Sequence, residues 1–325
     1  MSERGLELVS CVTRKFYCIG YDDRHSLHRM TTYDTRHSDP AEAELPYRRE
    51  ATTVLADDGR ELRGTWFRPT DLPRGAVVLV PAMATPAAYY DAFAAWLAES
   101  GFLTLTFDFR GMGSRAEMRA EQGDLIRWAG DAASALEHLL EYAGDLPVTW
   151  LGHSLGGQIL PFARHDLLDQ VLLVASGSGY WRHNVASLRW RAPLLWRTVA
   201  PLAIRVAGYY PGSRLRMLGD LPPNVMRQWG RWCLDPAYLG VDVPDAAARF
   251  REVTVPISTL AFEDDELLSA ASMRALEEWY VAAPLESRRL SPADLGVARV
   301  GHHGFFRSAH RDLWGAHVLP ALAHR

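Results

Sequence analysis

The sequence predicts a doubly wound, mostly parallel α/β sheet carrying an inserted helical module. Three observations predict it. From Arg49 onward, short apolar runs alternate with stretches of helical period. The alternation breaks from about Gly177 to Arg251 and then resumes. One apolar run ends in "GHSLGG", a glycine-rich turn set between a strand pattern and a helix pattern.

The elements follow in chain order. "REATTVLADDGRELRGTWFRP" holds two β-like runs joined by Asp57-Asp58-Gly59, a hairpin signal. "GAVVLVPA" is a buried strand, and "PAAYYDAFAAWLAESG" carries helical spacing that ends on Gly101. "FLTLTFD" is a second buried strand. "DLIRWAGDAASALEHLLEYAG" is a long amphipathic helix. "PVTWLG" is a strand, "SLGGQILPFARHD" reads as a helix, and "QVLLVAS" is a further strand. After the break come the strand "VPISTLAF", the helix "SAASMRALEEWYVAA", a short strand near "ESRRL" and a final helix in "FRSAHRDLWGAHVLPALAHR". The organisation read from this is an N-terminal extension over 1–46, expected to be loosely ordered, a core formed by 47–176 and 251–325, and a helical insertion over 177–250.

Composition bounds the function. The 325 residues are 48% hydrophobic and 23% charged, an ordinary globular balance. A net charge of −4 implies no general attraction to nucleic acid. Three cysteines, Cys11, Cys18 and Cys233, give neither a disulfide framework nor zinc spacing. The first twenty residues carry charges throughout and do not read as a secretory signal. No window of eighteen uninterrupted apolar residues exists, so no transmembrane span is expected, and a reducing cytoplasm is the expected location.

Gly152-His153-Ser154-Leu155-Gly156 fits G-x-S-x-G at a strand–helix junction, the context a nucleophile elbow requires. The turn is tight enough that only small residues fit two before and two after the serine. The Leu155 N–H, at the start of the helix, is then placed to stabilise an oxyanion. A serine hydroxyl needs a base, and the base an orienting acid, in the chain order Ser, acid, His. "TLAFEDDELLSA" offers Glu263, Asp264, Asp265 and Glu266 at a strand end, three of them expected to be solvated loop or helix-start charges. "RVGHHGFFRS" offers His302 and His303 in an extended, glycine-bounded loop before the last helix, where adjacent side chains point apart and only one can face Ser154. His153 adjoins the serine and cannot fold back to its Oγ. His138, His165, His310 and His317 sit in helical runs, and His25, His28 and His37 in the extension.

Together "VLVPAMATPAAYY", "LTFDFRGMGSR", "GHSLGG", "FEDDELLS" and "GHHGFF" resemble the α/β-hydrolase superfamily. The closer resemblance is to bacterial serine hydrolases of the serine-aminopeptidase and monoacylglycerol-lipase-like type. It covers roughly Tyr47 to the C-terminus. It implies an α/β-hydrolase fold with the insertion as a cap over the site. The usual place of the acid, three residues after a strand-end glycine or its substitute (here Phe262), selects Asp265. The base following a glycine directly selects His302, with His303 as the fallback. Where many members have His-Gly after the first buried strand, this chain has "PAMA". Pro81 has no N–H to give, and by position the second oxyanion donor is the Met83 N–H, with Ala84 as the alternative. Asp108, Arg110, Gly111 and Gly113 are expected to be structural.

From Gly177 to Leu234 there are nine arginines and one acid, Asp220, together with Trp181, Trp190, Trp196, Trp229 and Trp232. The plain expectation is a cap whose tryptophans pack inward and whose arginines are solvated. The sharper one is an amphipathic or anionic acyl substrate, its acyl part held by aromatic walls and its charge met by arginine. "LRWRAPLLWRTVAPLAIRV" is apolar enough for contact with a membrane surface, without being a span. The sequence thus points to hydrolysis of a carboxylic ester or thioester of a small acyl compound, with no metal or organic cofactor needed. Acyl transfer by the same residues, or a binding module without turnover, are the rival readings.

Overall fold

A computed structural model of the chain describes residues 45–323. Apart from Leu45 and Pro46, the expected N-terminal extension lies outside the described residues. The strands are β1 (Tyr47–Leu55), β2 (Glu61–Pro69), β3 (Gly75–Val80), β4 (Phe102–Phe107), β5 (Val148–His153), β6 (Gln170–Val174), β7 (Ile257–Phe262) and β8 (Leu285–Leu290). They form a single sheet in the order β1-β2-β4-β3-β5-β6-β7-β8. The β1–β2 hairpin and the β2–β4 pair are antiparallel, and every later pair is parallel. Strands β3, β4 and β5 are buried along their whole length, which is why they read as unbroken apolar runs. The strand order reverses around β3, so β4 and β5 flank it on opposite sides. The carboxyl ends of β3 and β5 therefore lie at a topological switch point, the place where open α/β sheets bind ligands.

Between the strands run α1 (Asp91–Glu99), α2 (Arg115–Ala120) and α3 (Leu125–Ala143). The Asp124 carboxylate caps α3 by accepting from the Ile126 and Arg127 N–H groups, both at 3.1 Å. One face of α3, including Leu125, Trp128, Ala132, Leu136 and Leu139, is buried in the core. The Arg110 guanidinium joins three elements: it meets Asp131 of α3 and Asp58 of the hairpin turn, both at 2.6 Å. Trp128 Nε1 donates to the Arg110 carbonyl at 3.2 Å.

Two elements differ from the sequence reading. The helix expected over Ser154–Asp166 is a single turn, α4 (Gly156–Ile159), followed by a 3₁₀ turn over Leu160–Phe162. Pro161 has no N–H with which to continue the helix. The Gly157 carbonyl it would have engaged accepts from the Tyr280 hydroxyl at 2.6 Å instead. The segment around His302 is not an extended loop but a helical turn.

The insertion is built from short helical turns at Ala186–Arg189 and Ala192–Leu194, a π-helical turn at Leu195–Val199, and helices α5 (Ala200–Ala207), α6 (Pro223–Leu234) and α7 (Ala246–Glu252). It is seated on the core at several points. Gln228 Oε1 of α6 accepts from the Leu125 N–H at 2.6 Å. Gly219 lies so close to Ala84 that a Cβ there would collide with the Ala84 carbonyl. Asn184 pairs with Leu268 in an isolated bridge. After β7 the chain adds α8 (Ala270–Glu277), β8, α9 (Gly301–Gly304) and α10 (Arg311–Leu322).

Candidate active site

Ser154 follows the last residue of β5, and its N–H donates to the Val174 carbonyl of β6 at 3.0 Å. Its φ is 51°, a left-handed conformation that costs a serine energy and lifts the side chain out of the strand direction. The flanking glycines are demanded by contact. A Cβ on Gly152 would stand 2.7 Å from the Gly156 carbonyl carbon, and one on Gly156 would stand 3.0 Å from the Val80 carbonyl oxygen. Gly157 lies against Ser176 and Leu173 of the neighbouring strand and its exit.

The sheet brings Asp265, past the end of β7, and His302, on α9, to this serine. His302 Nδ1 is 2.8 Å from Asp265 Oδ2, and His302 Nε2 is 3.0 Å from Ser154 Oγ. The other carboxylate oxygen of Asp265 accepts from the Leu267 and Leu268 N–H groups at 2.7 and 2.8 Å. Asp265 and His302 are 6% and 3% exposed. Burial works against the Asp265 charge, but the His302 charge, their hydrogen bond and the two amides outweigh it, so its carboxyl sits below the usual carboxylate range. Burial likewise works against a charged His302, yet the Asp265 charge and hydrogen bond, with Glu266 adding, hold its imidazole above the ordinary value.

The other acids and histidines are placed as well. Glu263 pairs with Arg289 at 3.3 Å near the surface. Asp264 and Glu266 do not behave as free loop charges. Asp264 Oδ2 accepts from the Val300 N–H at 2.8 Å, and Glu266 Oε2 from the His302 N–H at 3.1 Å while pairing with Arg299 at 3.3 Å. Two carboxylates thus fasten the backbone that carries His302. Nothing in their spacing distinguished them from solvated charges, because their partners are amides 36 residues away. His303 turns elsewhere: its carbonyl accepts from the Tyr89 hydroxyl at 2.7 Å, and its Nε2 lies 3.4 Å from Thr85 Oγ1. Burial, helped by the His302 charge, pushes its imidazole down to about 3. His153 is fully buried, and its ring nitrogens meet the Tyr90 hydroxyl and the His302 carbonyl rather than the serine.

At the end of β3 the Ala82 N–H is taken by the Tyr90 hydroxyl at 2.9 Å. The Met83 and Leu155 N–H groups form no hydrogen bond to any described residue. Ala84 adopts φ 57°, which turns the chain back at this point. Among the described residues no group of three or more His, Cys, Asp or Glu side chains is placed to hold a metal ion. Cys233 is a buried free thiol.

A family model described as serine aminopeptidase, S33, matches residues 71–213 of this chain. Over that stretch the chain is similar to a family of the α/β-hydrolase superfamily. No curated protein matches this chain in sequence at a significant level. Solved structures share its fold at low identity. An esterase from Pyrococcus furiosus is 12% identical with a TM-score of 0.55, covering 92% of this chain and 98% of its own. A thermostable carboxyl esterase from Bacillus coagulans is 16% identical with a TM-score of 0.52, covering 75% of this chain and 90% of its own. An acylaminoacyl peptidase from Pyrococcus horikoshii is 13% identical with a TM-score of 0.52, covering 87% of this chain and 42% of its own.

The chemistry this arrangement supports is acyl transfer. A hydroxyl hydrogen-bonded to an imidazole, itself oriented by a buried carboxylate, can attack a carbonyl, and the Met83 and Leu155 N–H groups, without a partner among the described residues, follow β3 and Ser154 in the chain. No helix among the described residues is long and apolar enough to cross a membrane.

Proposed function

We propose that this chain is a serine hydrolase that cleaves a carboxylic ester or thioester through an acyl-enzyme, with Ser154 as nucleophile, His302 as base and Asp265 as its orienting acid. The observation that carries the proposal is the hydrogen-bonded line Asp265–His302–Ser154. The Asp265 carboxylate holds the proton on Nδ1 and leaves Nε2 to accept from the Ser154 hydroxyl. Ser154 Oγ then bonds to the carbonyl carbon, whose oxygen is held by the Leu155 and Met83 N–H groups. The His302 imidazolium returns its proton to the departing alkoxide or thiolate. Water, deprotonated by the same histidine, releases the acid. Esters and thioesters fit better than amides because their leaving groups depart more easily, and the esterases among the fold neighbours agree with that reading.

The insertion, on this reading, is a cap over the site. It meets the turn after β3 at Ala84 and the acid-bearing segment at Leu268. Its tryptophans divide. Trp196 and Trp229 pack on each other, and Trp232 donates to Asp242, whereas Trp190 is 81% exposed. Arg189, Arg197 and Arg205 are exposed and form no ion pair with any described residue. A cationic cap on an acidic chain favours the approach of acyl substrates that carry negative charge.

The test is covalent. A fluorophosphonate probe is expected to label Ser154, and Ser154→Ala is expected to lose both labelling and about 10⁴-fold or more of ester turnover. Folded protein that takes no label, or a Ser154→Ala variant with undiminished turnover, overturns the proposal.

A further inference from the structure

His153 has no part in the proposed acid–base line, yet it is a fully buried polar side chain next to the nucleophile. Both of its nitrogens are engaged. Its Nδ1 is 2.7 Å from the Tyr90 hydroxyl, and its Nε2 is 3.0 Å from the His302 carbonyl. The same Tyr90 hydroxyl is 2.9 Å from the Ala82 amide nitrogen.

The direction of every bond in this chain is fixed by chemistry. An amide nitrogen only donates, so the Tyr90 oxygen accepts from Ala82. A carbonyl only accepts, so His153 Nε2 carries the proton and donates to His302. Burial, with the His302 and His303 charges, holds the His153 imidazole well below its ordinary value and so neutral, which leaves Nδ1 a bare acceptor to which the Tyr90 O–H donates. One line runs from the turn after β3, through a phenol and a neutral imidazole, to the backbone of the residue that would act as base. Its ends are Ala82, one residue before the Met83 N–H, and His302 itself. His153 also immediately precedes Ser154. The proposed nucleophile, base and one oxyanion donor are thus each part of this line or next to a member of it.

We infer that Tyr90 and His153 are positioning residues of the hydrolase, setting the distance between the oxyanion donor on the β3 turn and the base on α9 across the elbow. The inference rests on the hydrolase reading above. The line can do this because its members cannot relax independently. Tyr90 and His153 are both fully buried, and their rings pack against Phe306 at 5.0 and 4.8 Å between centroids. Breaking the line leaves the Ala82 N–H without its acceptor and the His302 carbonyl without its donor, in a region closed to water. Each freed group then pulls its turn toward a new partner. An error of a fraction of an ångström between donor and base is felt in the transition state and not in substrate binding.

The experiment compares Tyr90→Phe, His153→Gln and His153→Phe with the parent chain on a neutral p-nitrophenyl ester. A fluorophosphonate titrates the reactive serine in each, so turnover is read per functional site. Tyr90→Phe keeps the ring and is expected to lower kcat per titrated serine about tenfold, with KM changed by less than about twofold. His153→Gln retains an N–H that can reach the His302 carbonyl, and is expected to keep more of kcat than His153→Phe. Packing alone would lower the melting temperature or the titrated fraction and leave kcat per titrated serine untouched. That result in Tyr90→Phe, or equal losses in the two His153 variants, overturns the inference. If His153→Phe does not fold, the kcat of Tyr90→Phe decides alone. A parent chain that takes no label at all overturns the hydrolase reading itself, and so the two failures are told apart.

Discussion

The titration of His302 is the property most directly set by its surroundings. On the proposed mechanism the imidazole must be neutral to accept the Ser154 proton, so activity is expected to be lost as pH falls through its pKa. Burial pulls that pKa down, but Asp265 at 2.8 Å pulls it further up, and the net direction is upward. The acid limb of kcat/KM is therefore expected above the ordinary imidazole value of about 6.5. Asp265→Asn removes the raising charge and leaves burial, so the limb moves to lower pH while kcat falls about 10³- to 10⁴-fold. His302→Ala is expected to remove nearly all turnover, and His303→Ala far less. A limb that Asp265→Asn does not move, or a greater loss at His303, speaks against the assignment. The residue types around the site were legible in the sequence, but adjacent histidines on one glycine-flanked stretch look alike there. Only the resemblance selected His302. The structure supplies the physical difference: on a helical turn the two side chains diverge, one to Asp265 and Ser154, the other to Thr85.

At the scale of elements, Arg110 shows how a turn near the site is held. It carries the chain out of β4 and lies almost fully buried between Asp131 and Asp58. Arg110→Met leaves Asp131, wholly buried, without its counter-charge, which is expected to destabilise the fold by about 3–5 kcal/mol. Adding Asp131→Asn is expected to recover a good part of that loss, because the cost is the stranded charge and not the missing contact. Urea unfolding of the single and double variants checks this, and equal stability of parent and Arg110→Met sinks it. The apolar runs made the strands readable, since a strand buried on both faces has little freedom of composition. The helix after the elbow was less readable. The sequence reading ran it through Pro161, and the Tyr280 hydroxyl that satisfies the Gly157 carbonyl comes from 123 residues away. Likewise, the glycines of the elbow were legible as clearance, whereas Asp264 and Glu266 gain their meaning only when the sheet brings α9 beside them.

At the scale of the molecule, charge is distributed unevenly. The chain is net −4, yet residues 177–234 hold nine arginines against one acid, and that acid, Asp220, is engaged by the Ser213 N–H at 2.9 Å. The imbalance was plain in the sequence. Which arginines stay unpaired was not, because Arg231 finds Asp242 only through the packing of α6. Arg189, Arg197 and Arg205 remain exposed on the insertion, beside the exposed apolar side chains Trp190, Leu194, Leu202 and Val206. Exposed cations act at a distance: they raise the rate at which an anion arrives, and salt screens them over a Debye length of about 10 Å at 0.1 M. An acyl thioester carrying phosphate groups is therefore expected to show a kcat/KM that falls severalfold between about 0.02 and 0.3 M salt, while a neutral ester of equal acyl length stays flat. Arg197→Gln with Arg205→Gln should flatten the first curve without altering the second, since neither residue touches the proposed catalytic line. A neutral ester that outpaces the anionic one at every salt concentration removes the case for an anionic acyl substrate. It leaves Ser154, His302 and Asp265 with the same chemistry on a different molecule.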